Sequence, residues 1–101
     1  MSRADQIKTI RREILINLKV VFPACLRGDA LYRNLIAVFP TLEFDHLRQD
    51  LAYLISKGYI ERAMSPHDNP EMVPWRHRWF RLTAAGVEIA DRCRSDEALG
   101  V

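Results

Sequence analysis

The period of the apolar residues changes at Gly58, from about 3.6 before it to 2 after it, and returns to a helical one only at Thr83. Helices therefore come first and strands follow, the pattern of an α+β chain. Over residues 4–22, Ile7, Ile10, Ile14, Leu18 and Val21 recur at every third or fourth position, with Leu15 and Phe22 widening the stripe. Lys8, Arg11, Arg12 and Lys19 populate the rest of this helix, and Pro23 ends it. Residues 24–26 are short enough to be a stub of strand. Asp29 can then cap a second helix over 29–39, its carboxylate accepting from the first free backbone N–H groups. Leu31, Leu35 and Val38 or Phe39 face inward, and Pro40 closes the segment.

The helical pattern restarts at Thr41. Phe44, Leu47, Leu51, Leu54 and Ile55 share one face of a third helix over 41–57, and Gly58 is placed to end it. Two helices joined across Phe39-Pro40-Thr41 read as a helix-turn-helix. Residues 59–82 read as a hairpin. Its arms are Tyr59 to Met64 and the aromatic-rich Trp75 to Leu82, and its long tip, Ser65 to Pro74, carries three prolines and an Asp-Asn. Thr83 caps a last helix over 84–94, with Val87, Ala90 and Cys93 or Ile89 buried, and residues 95–101 form a tail. The whole, residues 1–101, reads as one domain.

Several functional classes are excluded at this stage. Cys25 and Cys93 are far apart and, with His46, His67 and His77, make no pair at zinc-site spacing, so no metal is expected. No apolar run approaches the ~18 residues of a membrane span, and Met1 to Gln6 holds no signal-peptide core, which points to the cytoplasm. Four scattered glycines give no phosphate-cradling loop, no cofactor motif is present, and no local nucleophile–base pair exists, so an enzyme is not expected. The formal net charge is only +2, from 15 Lys and Arg against 13 Asp and Glu. That is too mild for indiscriminate polyanion binding, so any nucleic-acid contact must come from local clustering.

The order helix, stub, helix, helix, strand, loop, strand, helix resembles the winged-helix superfamily of DNA-binding domains. Leu47-x3-Leu51-x2-Leu54-x3-Gly58-Tyr-Ile resembles the end of the recognition helix and the first wing strand of MarR- and PadR-like regulators. Phe80-Arg-Leu-Thr-Ala-Ala-Gly86 resembles the strand-to-helix junction of the same families. The resemblance implies a winged helix-turn-helix whose third helix enters the major groove of double-stranded DNA and whose hairpin lies on the backbone. It also implies a transcriptional regulator that pairs through its terminal helices as a homodimer. A metal-sensing relative of the ArsR type would show a short Cys-containing ligand motif, and none is present.

Carried over by position, the exposed face of the third helix is Asp45, His46, Arg48, Gln49, Ala52 and Tyr53, with His46, Arg48, Gln49 and Tyr53 as base contacts. Arg can grip guanine O6 and N7, and Gln can pair with adenine N6 and N7. Against this, Glu43, Asp45 and Asp50 outnumber Arg48 and Lys57, so an ordinary solvated face remains the alternative. Trp75-Arg-His-Arg-Trp-Phe-Arg81 carries three Arg, one His, three aromatics and no acid. If Phe80 and Leu82 point inward, strand alternation puts Arg76 and Arg78 on their side and Trp75, His77, Trp79 and Arg81 on the outer face. Arg76, His77, Arg78 and Arg81 are then candidate phosphate contacts, and Trp75 and Trp79 a partner surface. The alternative function is a protein-interaction module that uses this ribbon without binding DNA. Arg3, Lys8, Arg11 and Arg12 read as the wet side of the first helix, and Ile7, Ile10 and Ile14 are its candidate dimer stripe.

Overall fold

The computed structural model describes residues 3–63 and 73–91. Helix α1 (Arg3–Val21) is followed by the two-residue strand β1 (Leu26–Arg27), then helices α2 (Gly28–Ile36) and α3 (Phe44–Ser56). Strand β2 (Ile60–Ala63), a 3-10 turn (Trp75–His77), strand β3 (Trp79–Leu82) and helix α4 (Ala84–Ala90) follow among the described residues. The strands form an antiparallel sheet of order β1-β3-β2, pairing Leu26 with Phe80 on one side and Arg62 with Phe80 on the other. The helical and strand periods account for the core. Ile10, Ile14, Leu15 and Leu18 of α1 meet Leu31 and Leu35 of α2, Leu47, Leu51 and Leu54 of α3, and Phe80, Leu82 and Ile89 beyond them. Each of these apolar side chains is almost wholly withdrawn from water, which is the principal favourable contribution to folding.

The end of α3 is set by Gly58, whose φ of +77° lies where only glycine is relaxed. Its N–H donates to Ile55 O and that of Tyr59 to Leu54 O, the paired bonds that close a helix through a left-handed residue. Thr83 caps α4 by accepting from Gly86 N at 3.1 Å, and its own hydroxyl donates to Gly58 O. Gly86 passes so close to the Tyr59 carbonyl that a Cβ would sit 1.9 Å from its oxygen. The two sequence stretches around Gly58 and Thr83 thus pack on each other, and each supplies a residue the other needs.

The structure moves several element boundaries. Helix α2 begins at Gly28, not Asp29, because the sheet holds the chain until that point: Arg27 pairs with Trp79 and Gly28 N donates to Arg78 O. Asp29 is not its N-cap; it accepts from Ala30 N and grips the Arg27 guanidinium. The helix stops at Ile36, where Val38 N and Phe39 N both turn back to Leu35 O, so Val38 is solvent-facing and Phe39 is the half-buried one. Helix α3 begins at Phe44, not at Thr41, since Leu42 N bonds to Phe39 O and Leu42 is buried within the turn. Helix α4 is described to Ala90, with Gly86 and Ile89 buried on it. Met64 and most of the hairpin tip, Cys93, the stretch 92–94 and the tail 95–101 lie outside the described residues.

The largest departure is at Trp75–His77, which forms a 3-10 turn instead of strand. Pro74 fixes the entry angle, and the turn closes through His77 N to Pro74 O and Arg78 N to Trp75 O. Ile10 and Ile14 of the candidate dimer stripe lie in the chain's own core, and the exposed apolar residues of α1 are instead Ile16 and Val20. Among the described residues, no helix is long and apolar enough to cross a membrane.

Candidate nucleic-acid interface

Helix α3 presents its apolar stripe to the core and turns Asp45, His46, Arg48, Gln49 and Ala52 to solvent. Asp50 departs from that exposed set. It sits within the stripe, three residues after Leu47 and four before Leu54, and is only 5% exposed. Arg11 of α1 donates Nε–H to its Oδ1 at 3.0 Å. Burial pushes the Asp50 carboxyl above its ordinary range, and the Arg11 bond and charge only partly offset this. The same guanidinium lies 3.8 Å above the Tyr53 ring. Tyr53 is accordingly half-buried on the α1 side of α3 instead of standing on its outer face with Arg48.

This changes the charge of the face that could meet DNA. With Asp50 turned inward, the exposed charges from Glu43 to Lys57 are two acids and two cations. Arg48 lies 3.9 Å from Asp45 one turn earlier, a loose exposed pair that costs little to break. His46 and Gln49 also line a cleft of about 500 Å3 between α1 and the start of α3, with Gln6, Ile7, Arg11 and Thr41 on its other walls. By sequence alone Asp50 counts with Glu43 and Asp45 among the acids of this face. The signal that could have corrected it was its position inside the Leu47–Leu54 stripe, with Arg11 similarly set between Ile7 and Ile14 on α1.

The wing arginines have three different environments. Arg81 donates Nε–H to Glu61 Oε1 at 2.5 Å across the strand pair, and that carboxylate raises its pKa further. Arg78 is half-buried, donates Nε–H to Val73 O and lies 4.5 Å from the Trp75 ring. Burial and the neighbouring Arg62 charge lower its pKa. Arg76 reaches the other way, its guanidinium 4.4 Å from the Phe44 ring and 5.7 Å from that of Tyr32. Trp75 is not on an outer strand face; it stacks on Phe80 at 6.0 Å and packs against the core. Trp79 is 46% exposed, beside Arg27 and Ala63 in register, and His77 is exposed on the 3-10 turn.

A helix-turn-helix of α2 and α3, backed by α1 and continued into a small sheet with α4 behind it, is a winged-helix fold of the MarR type. The fold matches wild-type MarR from E. coli in its apo form with a TM-score of 0.63, at 20% identity over 97% of this chain and 69% of that one. It matches a MarR mutant from E. coli complexed with operator DNA with a TM-score of 0.62, at 21% identity over 97% of this chain and 66% of that one. The chain therefore spans about two thirds of the length of these structures. No family model and no curated protein matches the sequence.

Proposed function

We propose that the chain is a winged-helix DNA-binding protein acting as a transcriptional regulator. The observation that carries the reading is the inward turn of Asp50 onto Arg11, which leaves α3 with an outward face of His46, Arg48 and Gln49 and balanced charge. Arg48 supplies a planar fork for guanine, Gln49 an amide for adenine, and His46 a further donor beside them. Tyr53 contributes through Arg11, by holding the guanidinium that neutralises Asp50. His77, Arg78 and Arg81 are assigned to the phosphate backbone; a guanidinium has five N–H donors, so Arg81 keeps several beyond its bond to Glu61. The likeness to a MarR mutant complexed with operator DNA supports the DNA-binding reading.

The chain is proposed to act as a homodimer in the cytoplasm, paired through its terminal helices. With Ile10 and Ile14 in the core, the apolar residues of α1 free for pairing are Ile16 and Val20, the latter 80% exposed. Val20→Asp is expected to convert the dimer to monomer in light scattering, without loss of helical signal.

A second reading is favoured by one specific feature, the outer face of the sheet. Exposed Trp79 is flanked by Arg27 and Arg81, and both are already paired with carboxylates, Asp29 and Glu61. A neutral surface around one tryptophan suits a protein partner better than phosphate. Fluorescence anisotropy with a labelled random-sequence duplex at about 50 mM salt separates the two, since backbone binding is strong there. Retention that weakens as salt rises supports the DNA reading; no retention at that salt leaves the protein-partner reading.

A further inference from the structure

We infer that Arg76 is a positioning residue that couples the base of the wing to the first turn of α3, and is not one of the wing's phosphate contacts. The inference rests on the DNA-binding reading for its functional consequence, though not for its geometry. The 3-10 turn that carries Arg76 is held on both sides. Before it, Trp75 stacks on Phe80 at 6.0 Å. After it, Arg78 O accepts from Gly28 N at 2.8 Å. The turn lies so close to the start of α2 that a Cβ on Gly28 would come within 2.4 Å of Trp75 O. The backbone at residue 76 is thereby fixed against α2, and its side chain spans from there to α3.

What it reaches is a start of α3 that has no side-chain cap. Phe44 is the first helical residue, and the N-cap residue Glu43 makes no side-chain cap bond. The first turn is held instead by aromatic contacts. Phe44 meets Tyr32 edge-on at 5.5 Å and 77°, and Tyr32 Oη donates to Leu42 O at 2.8 Å. Arg76 lays its guanidinium over the Phe44 ring at 4.4 Å. A cation near a helix N-terminus is unfavourable for the helix dipole, so it is the negative ring faces that keep it there. Arg76, Phe44 and Tyr32 then form one unit that joins the 3-10 turn, α3 and α2. A shift of the wing on the backbone would change how the first turn of α3, with Asp45 and His46, enters the groove.

The test compares Arg76→Met, which keeps an unbranched stem without the charge, with Arg76→Lys, which restores a cation. Each is measured on a duplex selected by the wild type from a random-sequence pool and on a scrambled duplex, over a range of salt. Loss of a single cation–π contact predicts that Arg76→Met weakens the selected duplex by about two- to five-fold. The scrambled duplex should be nearly unaffected, the salt slope unchanged, and Arg76→Lys should recover part of the loss. A phosphate contact would instead weaken both duplexes alike and reduce the slope by about 0.9. That result, or no effect on either duplex, overturns the inference. Hydrogen exchange in the free protein supplies a readout independent of DNA. The amides of His46 and Leu47, which donate to Glu43 O, should exchange faster in Arg76→Met while those of Leu54 and Ile55 do not. Failure of the wild type to bind any duplex would remove the DNA reading and leave the coupling to be decided by this exchange pattern; unchanged exchange at His46 and Leu47 would overturn it.

Discussion

Arg11 Nε and Asp50 Oδ1 lie 3.0 Å apart, so the buried carboxylate of α3 is answered from α1 across 39 positions of sequence. The pair decides both how α3 sits on the core and which of its charges reach solvent. Removing one partner leaves the other buried without an answering charge, which costs far more than the pair itself contributes. Asp50→Ala is expected to lower stability by about 2–4 kcal/mol, since Arg11 keeps some access to water. Replacing both, Arg11→Met with Asp50→Leu, should restore stability to near the wild-type value. Urea midpoints for the two single variants and the double variant check this; a double variant as unstable as the sum of the singles contradicts it.

Asp50 and Asp29 should give opposite pH dependences. Burial raises the Asp50 pKa in the folded state, so the folded protein binds that proton more tightly than the unfolded chain. Relative to Asp50→Asn, the wild type should therefore gain stability as pH falls toward the unfolded carboxylate range near 4. Asp29 behaves in the other sense. Its pKa is held down to about 2 by the bond from Arg27, so its stabilisation is present above the unfolded value and is lost as pH falls through about 2. Relative to Asp29→Asn, the wild type should lose stability on acidification from pH 4 to 2. Thermal midpoints of the three proteins between pH 6 and 2 measure both slopes, and slopes of the same sign contradict the assignment.

The glycines at the α3–β2 and β3–α4 junctions should separate steric from conformational cost. At Gly86 a Cβ would meet the Tyr59 backbone, which cannot yield, so Gly86→Ala is expected to cost about 3 kcal/mol or more. At Gly58 nothing lies within 4 Å, and the cost of Gly58→Ala is that of a positive φ alone, about 1–2 kcal/mol. Equal losses in denaturant unfolding would show that the Tyr59–Gly86 contact is looser than described.

Glu61 restrains an exposed arginine of the wing. Glu61→Gln breaks the charge pair with Arg81 while keeping the side-chain shape. On the DNA reading it should strengthen binding to any duplex and steepen the salt dependence by less than one counterion, with little change in stability because exposed pairs contribute at most about 1 kcal/mol. Unchanged affinity and slope would place Arg81 outside the interface.

The elements were legible where local pattern determines them. The stripe Leu47, Leu51, Leu54, the positive-φ Gly58 and the Thr83 cap each follow from a few neighbouring residues, and each is found in the structure. Local pattern is silent where the determining partner is remote in sequence. Asp50 counts as a surface acid until Arg11 is brought beside it. Tyr53 counts as an outward residue until the same guanidinium covers it. Alternation placed Arg76 and Trp75 on opposite strand faces, but Pro74 and the contact of Gly28 with Trp75 impose a 3-10 turn that sends them to different neighbours. The site was therefore visible as a set of residue types and not as a surface.

If the outward face of α3 reads duplex DNA, sequence preference depends on Arg48. Wild type and Arg48→Ala are each titrated with the wild-type-selected duplex and with its single-base-pair variants, at about 50 mM salt where backbone binding is strong. On the DNA reading of α3, the wild type is expected to bind and to discriminate at one G·C position by about 1–3 kcal/mol, and Arg48→Ala to lose that discrimination alone while keeping the salt slope. A wild type that binds no duplex at that salt, or an Arg48→Ala protein with its preference intact, would contradict it.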